Sequence, residues 1–193
     1  MSIYFTRHGQ TDWNIRYVIQ GRIDVPLNEE GKKQAKQVAE LLKDVHLDAI
    51  IVSPMQRAID TAKAINEYHH LPIETDERII EQFYGELEGT PRSGDRYLEH
   101  RRSIAKRYPK GEGYFDVVYR VYDFLNQLKK ERRDQDILIV AHGGMSRIVH
   151  SYFVDDMDND TFVHYGLKNC ELAKYEFVDR DIPLSVSEFD PLP

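Results

Sequence analysis

The sequence predicts an α/β fold, a three-layer α/β/α sandwich around a mostly parallel central sheet. Short apolar segments alternate along the chain with segments whose apolar residues recur at helical spacing. The strongest predicted strand, residues 136–141, is apolar without alternation, which is typical of a central parallel strand covered on both faces. A length of 193 residues fits a single domain, and we expect one domain over residues 1–193.

The first half of the chain holds two predicted strands, each followed by a helix. Residues 2–6 are rich in Ile, Tyr and Phe and predict a strand close to the start. Asn28 can cap the next helix, in which apolar residues recur at helical spacing. A short buried strand is predicted over residues 48–53, and Pro54 stands where the following helix would begin. That helix is predicted to run to about Tyr68.

The second half repeats this order. Strand 136–141 leads into two glycines and a helical pattern that reaches about Phe153. Residues 171–178 alternate in the manner of a last strand. The tail from about residue 179 contains three prolines and several acidic residues, so we expect an extended segment there.

Composition excludes several classes of function. The net charge of −7 argues against general nucleic-acid binding, and no apolar run approaches membrane-spanning length. The first residues lack the basic and apolar regions of a signal peptide. The single cysteine, Cys170, cannot form an internal disulfide and is expected to be a small core residue, so a cytoplasmic protein is the default expectation.

Three predicted strand ends carry residues that can handle phosphate. Arg7, His8 and Gly9 follow the first strand, Ser53-Pro54 follow the second, and His142 precedes two glycines after strand 136–141. Ligands in α/β sheets collect at the carboxyl ends of the strands. We therefore expect these segments to meet at one site.

Phosphoryl transfer needs a nucleophile, cations on the phosphate oxygens and an acid for the leaving group. His8 is the candidate nucleophile, because the neighbouring Arg7 disfavours its protonation. Arg57 falls in the first turn of its helix, where amide hydrogens also attract phosphate. His142 ends the most apolar strand, and Glu81 suits a general acid if apolar neighbours partly desolvate it.

Each of these residues has a plain alternative when it is considered alone. An Arg-His-Gly tripeptide arises by chance in about one chain in 50 of this length. Considered alone, Arg57 is more readily a solvated helix arginine than a phosphate ligand, and His142 fits a residue that bonds backbone at a strand end about equally well. Exposed glutamates such as Glu81 are common.

Four short sequence blocks, taken together, are far more specific than any of these residues alone. They resemble the histidine phosphatase superfamily, also called phosphoglycerate-mutase-like, and they occur in that family's order. The blocks are residues 6–14 continuing to 20–21 and 26–28, residues 53–62, residues 78–89 and residues 141–144.

The resemblance implies a phosphatase in which His8 becomes phosphorylated, Arg7, Arg57 and His142 surround the phosphate, and Glu81 donates a proton. It further implies substrate contacts from a second set of residues, namely Asn14, Gln20, Gly21, Tyr84 and Gly143. No cluster of His, Cys or carboxylates has metal-ligand spacing, so we expect a metal-independent enzyme without a cofactor.

The segment at about 90–115 corresponds to an insertion that covers the pocket in this family. Residues 90–110 hold seven Lys or Arg against Asp95 and Glu99, which suits an anionic substrate as well as a solvated helix face.

Two departures from the pattern affect the choice of substrate. Leu87-Glu88-Gly89 stands where the phosphatase branch usually has Trp-Glu-Gly, and Tyr84-Gly85 looks like the equivalent position in mutases. The segment between Glu81 and His142 is shorter than a mutase needs.

The leading hypothesis is a phosphomonoesterase that acts on a small phosphorylated metabolite through a phosphohistidine. A phosphoglycerate mutase is the close alternative. An inactive member that binds phosphorylated ligands is the distant one, because all five catalytic candidates are intact. The sequence allows a homodimer and names neither the substrate nor the oligomeric state.

Overall fold

The structure, a computed structural model, describes residues 1–177 and contains a five-stranded sheet. The strands are β1 (Ser2–Arg7), β2 (Ala49–Val52), β3 (Ile73–Thr75), β4 (Ile137–Ala141) and β5 (Leu172–Glu176). Their spatial order is β3-β2-β4-β1-β5. The first four strands pair with one another in parallel and β5 runs antiparallel to β1, which confirms the mostly parallel sheet.

Seven α-helices lie in the described part of the chain, with two short 3₁₀ turns at Glu77–Ile79 and Gly85–Leu87. The helices are α1 (Asp12–Ile15), α2 (Glu29–Leu42), α3 (Gln56–His69), α4 (Asp95–Arg102), α5 (Tyr114–Glu131), α6 (Gly143–Phe153) and α7 (Asn159–His164). Within residues 1–177, no helix is both long and apolar enough to cross a membrane.

The sheet separates two apolar cores, because successive strand residues point to opposite faces. In β4, Leu138 and Val140 pack with residues of α2 and α3, whereas Ile137 and Ile139 pack with residues of α5 and α6. All five residues of β4 are buried, as expected for a central strand covered on both faces. This arrangement confirms the predicted three-layer sandwich.

A third, smaller apolar cluster lies outside these two cores. Its buried members are Ile19, Leu87, Tyr97 and Tyr108, and the Tyr84 ring packs against it. Tyr97 belongs to α4, so this cluster ties the segment between the second 3₁₀ turn and α5 to the loop that carries Ile19.

Several element boundaries differ from the sequence prediction. Helix α3 begins at Gln56 rather than at Pro54, because Met55 is its N-cap and Pro54 lies in the preceding bend. β5 is shorter than predicted at both ends. The expected extended tail from about residue 179 lies outside the described residues.

Candidate active site

A cavity of about 190 Å³ opens where β1 and β4 end side by side. Loops from across the chain converge there, because the carboxyl ends of parallel strands share one edge of the sheet. The residues lining the cavity are Arg7, His8, Asn14, Ile19, Gln20, Gly21, Arg57, Glu81, Tyr84, Arg92, Tyr97, Arg101, Gly143, Gly144, Arg147, His164, Tyr165, Gly166 and Leu167.

His8 directly follows β1 and is 3% exposed. Its ring Nδ1 lies 2.7 Å from the carbonyl oxygen of Gly9. A carbonyl oxygen only accepts hydrogen bonds, so we assign the ring proton to Nδ1 as the donor. Burial, followed by the charges of Arg57 and Arg7, lowers the pKa of His8 well below 6.5. The neutral ring therefore presents an unshared electron pair on Nε2.

Two arginines accompany His8. Arg7 ends β1, and its Nη1 donates to the carbonyl of Leu167 at 3.1 Å. Burial, reinforced by the charge of Arg92, lowers the pKa of Arg7 to about 10, so the guanidinium is still cationic at neutral pH. Arg57 lies in the first turn of α3 and is 1% exposed.

Arg57 is held by the loop that follows Gln20. Its Nη2 donates to the carbonyl of Gly21 at 2.8 Å, and its Nη1 donates to the carbonyl of Ile23 at 2.9 Å. Asp24 completes the arrangement with an ion pair at 3.3 Å. Gly21 adopts φ +54°, a left-handed conformation that favours glycine.

His142 is fully buried beside His8 and does not itself line the cavity. Its Nε2 lies 2.7 Å from the hydroxyl of Ser53, which follows β2. The rings of His142 and His8 meet edge to face, with centroids 5.2 Å apart. Burial, followed by the charge of Arg57, lowers the pKa of His142 well below 6.5.

Glu81 projects its carboxylate against the start of α6. Its Oε2 accepts from the amide of Gly144 at 3.2 Å, and its Oε1 accepts from the amide of Gln82 at 2.9 Å. A Cβ at position 144 would lie 2.3 Å from Glu81 Oε1. The second glycine of the pair is thus required by the position of this carboxylate.

The remaining sequence-predicted contacts, which are Asn14, Gln20, Gly21, Tyr84 and Gly143, all line the cavity. Asn14 forms a capping box with Thr11 at the start of α1, which fixes its amide oxygen and leaves Nδ2 free. Of the ten predicted site residues, His142 alone does not line the cavity.

Unpartnered polar atoms concentrate at this site. Within residues 1–177, seven buried side-chain nitrogen or oxygen atoms have no hydrogen-bond partner. Six of them belong to cavity residues or to His142: Arg7 Nε, Asn14 Nδ2, Gln20 Oε1, Arg57 Nε, His142 Nδ1 and Arg147 Nε. Buried polar atoms are normally paired, so this concentration points to a polar ligand.

Three arginines that were not predicted as site residues also line the cavity, namely Arg92, Arg101 and Arg147. Arg92 and Arg101 belong to the basic run of residues 90–110. Arg147 lies four residues after Gly143, so it shares one face of α6 with that residue. This helical spacing was a signal that could have identified it.

The described residues contain no group of three or more His, Cys, Asp or Glu side chains that could hold a metal ion. What the cavity does contain is a neutral imidazole, cationic guanidiniums and a carboxylate. These are the parts that phosphoryl transfer through a nucleophile requires.

Comparison with known proteins agrees with this chemistry. Residues 3–187 match the family model of the histidine phosphatase superfamily, branch 1. The chain is 34% identical to the uncharacterized phosphatase PhoE of Bacillus subtilis, covering 97% of this chain and 98% of that protein. It is 28% identical to a 2,3-bisphosphoglycerate-dependent phosphoglycerate mutase of Cytophaga hutchinsonii, covering 92% and 88%.

A solved structure extends the similarity to the fold. The chain superposes with a TM-score of 0.80 on a mycobacterial glucosyl-3-phosphoglycerate phosphatase in complex with VO3. The two are 27% identical, and the superposition covers 90% of this chain and 91% of that one.

Proposed function

The chain belongs to the histidine phosphatase superfamily, branch 1, and we propose that it hydrolyses a small phosphorylated metabolite through a phosphohistidine on His8. The observation that carries this proposal is the state of the His8 ring. Its Nδ1 proton is engaged by the Gly9 carbonyl and its pKa is lowered, so Nε2 is free to attack phosphorus.

In the proposed first step, Nε2 of His8 attacks the phosphorus and the ester oxygen leaves. Arg7 and Arg57 would neutralise the phosphate oxygens, using the Nε atoms that have no partner. His142, whose ring packs edge to face against His8, would donate a hydrogen bond from its unpartnered Nδ1 to a phosphate oxygen. Glu81 would give the leaving oxygen a proton, so that it departs as an alcohol. In the second step the Glu81 carboxylate would take a proton from a water molecule, whose oxygen attacks the phosphorus while the bond to His8 Nε2 breaks and inorganic phosphate is released.

Hydrolysis is preferred over mutase activity, although relatives with both names exist. Support comes from the sequence, in which the segment between Glu81 and His142 is short for a mutase. An inactive, ligand-binding role is disfavoured, because the five catalytic candidates are present and lie together.

Purified protein and a panel of phosphorylated metabolites test the proposal through the release of inorganic phosphate. We expect release from at least one small monoester and its loss in His8→Ala. Interconversion of 2- and 3-phosphoglycerate faster than phosphate release would move the chain to the mutases. Equal release by wild type and His8→Ala would refute the role of His8.

We also propose that the protein acts in the cytoplasm on a small phosphorylated metabolite, rather than on nucleic acid or at a membrane. The net charge of −7 argues against general nucleic-acid binding. A homodimer is tested by light scattering during size-exclusion chromatography.

A further inference from the structure

Asn14 offers the cavity a polar atom whose kind depends on how its side-chain amide is turned. The residue lines the cavity, and among residues 1–177 its buried Nδ2 has no hydrogen-bond partner. An asparagine amide carries one accepting oxygen and one donating nitrogen, which a half-turn of the group exchanges. Phosphate oxygens accept hydrogen bonds, so Asn14 can serve a phosphate only while its nitrogen is the free atom.

The orientation of the Asn14 amide is fixed by donors on its oxygen. Oδ1 lies 3.0 Å from the backbone nitrogen of Thr11, and a backbone N–H can only donate. The Thr11 hydroxyl donates to the same oxygen at 3.2 Å. The atom that faces Thr11 must therefore be oxygen, which leaves Nδ2 as the free donor.

Thr11 alone is a weak support for this orientation, because it belongs to the same short segment as Asn14. Helix α1 has four residues, and none of them is buried. Such a short helix is unstable by itself, so it needs support from elsewhere in the fold. Asn169, which lies 155 residues further along the chain, provides this support, since its Nδ2 donates to Asn14 Oδ1 at 3.2 Å.

The same nitrogen of Asn169 also reaches the nucleophile. It donates to the backbone oxygen of His8 at 2.9 Å, so its two hydrogens serve His8 and Asn14 together. The backbone beside Asn169 is anchored to the end of β1, because the amide of Cys170 donates to the carbonyl of Arg7 at 3.0 Å. Asn169 therefore ties the free donor of Asn14 to the strand end that His8 follows.

We propose that Asn169 is a positioning residue for phosphate binding. Its hydrogen bond to Asn14 Oδ1 keeps Asn14 Nδ2 available to a phosphate oxygen, and its hydrogen bond to the His8 carbonyl sets that donor beside the nucleophile. Asn169 does not line the cavity, so it acts through Asn14 and not by touching the substrate. This inference rests on the proposed function, because it places the reacting phosphate beside His8.

A double-mutant cycle tests whether Asn169 acts through Asn14. The cycle compares kcat/KM for p-nitrophenyl phosphate in wild type, Asn14→Ala, Asn169→Ala and the double variant. We expect each single variant to lose about tenfold, because each removes or misplaces one hydrogen bond to a charged phosphate. The double variant should lose at most about twofold more than Asn14→Ala, because Asn169 then has no amide to orient.

Two further variants separate positioning from packing. Asn169→Asp keeps the shape of the side chain but turns oxygen toward two accepting oxygens, so it should lose at least as much activity as Asn169→Ala. Lys168→Ala is the matched control, because Lys168 is the exposed neighbour and does not line the cavity. Its kcat/KM should stay that of the wild type.

The side-chain amide of Asn14 gives a spectroscopic readout that does not depend on turnover. Titration of the wild-type protein with inorganic phosphate should shift the Asn14 NH2 signals in ¹H–¹⁵N spectra, and Asn14→Ala assigns these signals. In Asn169→Ala most of this shift should be lost, because the nitrogen is no longer held as the free donor. Should Asn169→Ala fail to fold, Asn169→Asp and the wild-type titration still decide.

Three results would overturn the role of Asn169 while leaving His8-dependent phosphate release, and so the proposed function, intact. The first is wild-type kcat/KM in Asn169→Ala or in a folded Asn169→Asp. The second is a loss from Asn169→Ala that is equally large in the Asn14→Ala background. The third is an Asn14 amide that does not respond to phosphate in the wild-type protein. Absence of His8-dependent release from every substrate would instead refute the proposed function, and this inference with it.

Discussion

The protonation of His8 decides whether this cavity can begin phosphoryl transfer. Protonated imidazole has no electron pair to give, so a nucleophilic histidine must be neutral at the working pH. Burial and two guanidiniums, those of Arg57 and Arg7, favour the neutral ring, and the Gly9 carbonyl selects the tautomer. The backbone therefore prepares the ring before any substrate arrives.

The first prediction concerns this tautomer. At pH 6.5, where an ordinary histidine is half protonated, His8 should be neutral with its proton on Nδ1, because its pKa is lowered. Long-range ¹H–¹⁵N NMR of the free protein measures both properties, and His8→Ala assigns the signal. A His8 ring that is half protonated at pH 6.5, or one that carries its neutral-state proton on Nε2, would contradict the assignment.

The second prediction concerns the proposed acid, Glu81. An alkoxide is a poor leaving group that needs a proton, whereas p-nitrophenolate needs that help much less. Glu81→Gln should therefore slow hydrolysis of an alkyl phosphate by about 10²–10⁴-fold and that of p-nitrophenyl phosphate much less. Steady-state rates on both substrates give the comparison.

The matched control for this variant is Glu86→Gln. Glu86 lies nearby in the chain but is exposed and pairs with Lys110 at 2.9 Å, away from the cavity lining. Glu88 would be a poor control, because its carboxylate accepts from the amides of Arg22 and Tyr84 and so joins two cavity loops. Equal losses on both substrates in Glu81→Gln would leave Glu81 a positioning or water-activating role instead.

At the scale of elements, the start of α6 determines where the proposed acid lies. The Gly144 amide donates to Glu81, and the absence of a side chain at Gly144 leaves room for that carboxylate. Gly143 faces Arg7 in the same way, since its Cβ would lie 3.3 Å from Arg7 Nε. The glycine pair therefore leaves room for side chains from two distant segments, Glu81 and Arg7.

The third prediction follows from this packing. Gly144→Ala would place a Cβ 2.3 Å from Glu81 Oε1, so the carboxylate must move. A shift of about 1 Å at a catalytic group costs on the order of 100-fold in rate. We expect alkyl phosphate hydrolysis to fall by this amount and p-nitrophenyl phosphate hydrolysis to fall less. Gly94→Ala, at the N-cap of α4, is the control, and a wild-type profile in Gly144→Ala would contradict the packing argument.

Elements with a simple apolar pattern could be predicted from the sequence. β1, β2, β4 and α2 stand close to their predicted positions, because their apolar residues follow one periodicity and their ends carry clear signals. α5 was not assigned, although Val117, Val121 and Leu125 recur at helical spacing, because its tyrosines and valines are weak helix formers. β3 has three residues, too few for a pattern.

The site residues likewise divide into those that could be predicted from the sequence and those that could not. Residues at strand ends and in compact motifs, such as His8 and His142, were found because a parallel sheet gathers them at one edge. Arg101 and Arg147 were not predicted as site residues, because the Val163 carbonyl and the Tyr114 hydroxyl bring them together, and no local pattern specifies those contacts.

At the scale of the whole molecule, the charge of the cavity is opposite in sign to the net charge of the chain. The chain carries a net charge of −7, yet its cavity is lined by five arginines. Guanidiniums at this density can do the neutralising work that a divalent cation does in other phosphatases. The fold therefore concentrates positive charge at one edge of its sheet.

The fourth prediction is independence from metals. Phosphate release should survive dialysis against excess EDTA, because the arginines supply the charge that the phosphate oxygens need. The measurement compares rates before and after dialysis, with added Mg²⁺ as a control for recovery. Loss of activity in EDTA that a divalent cation restores would contradict this expectation.

The covalent intermediate on His8 is the central claim, and trapping it is the most direct test. Wild-type protein mixed with a substrate that it hydrolyses, quenched in alkali during turnover and digested, should yield a peptide phosphorylated on His8. His8→Ala should yield none and should not turn over. Turnover by the wild-type protein with no phosphoryl group on His8 at any quench time, or with one on another residue, would contradict the account.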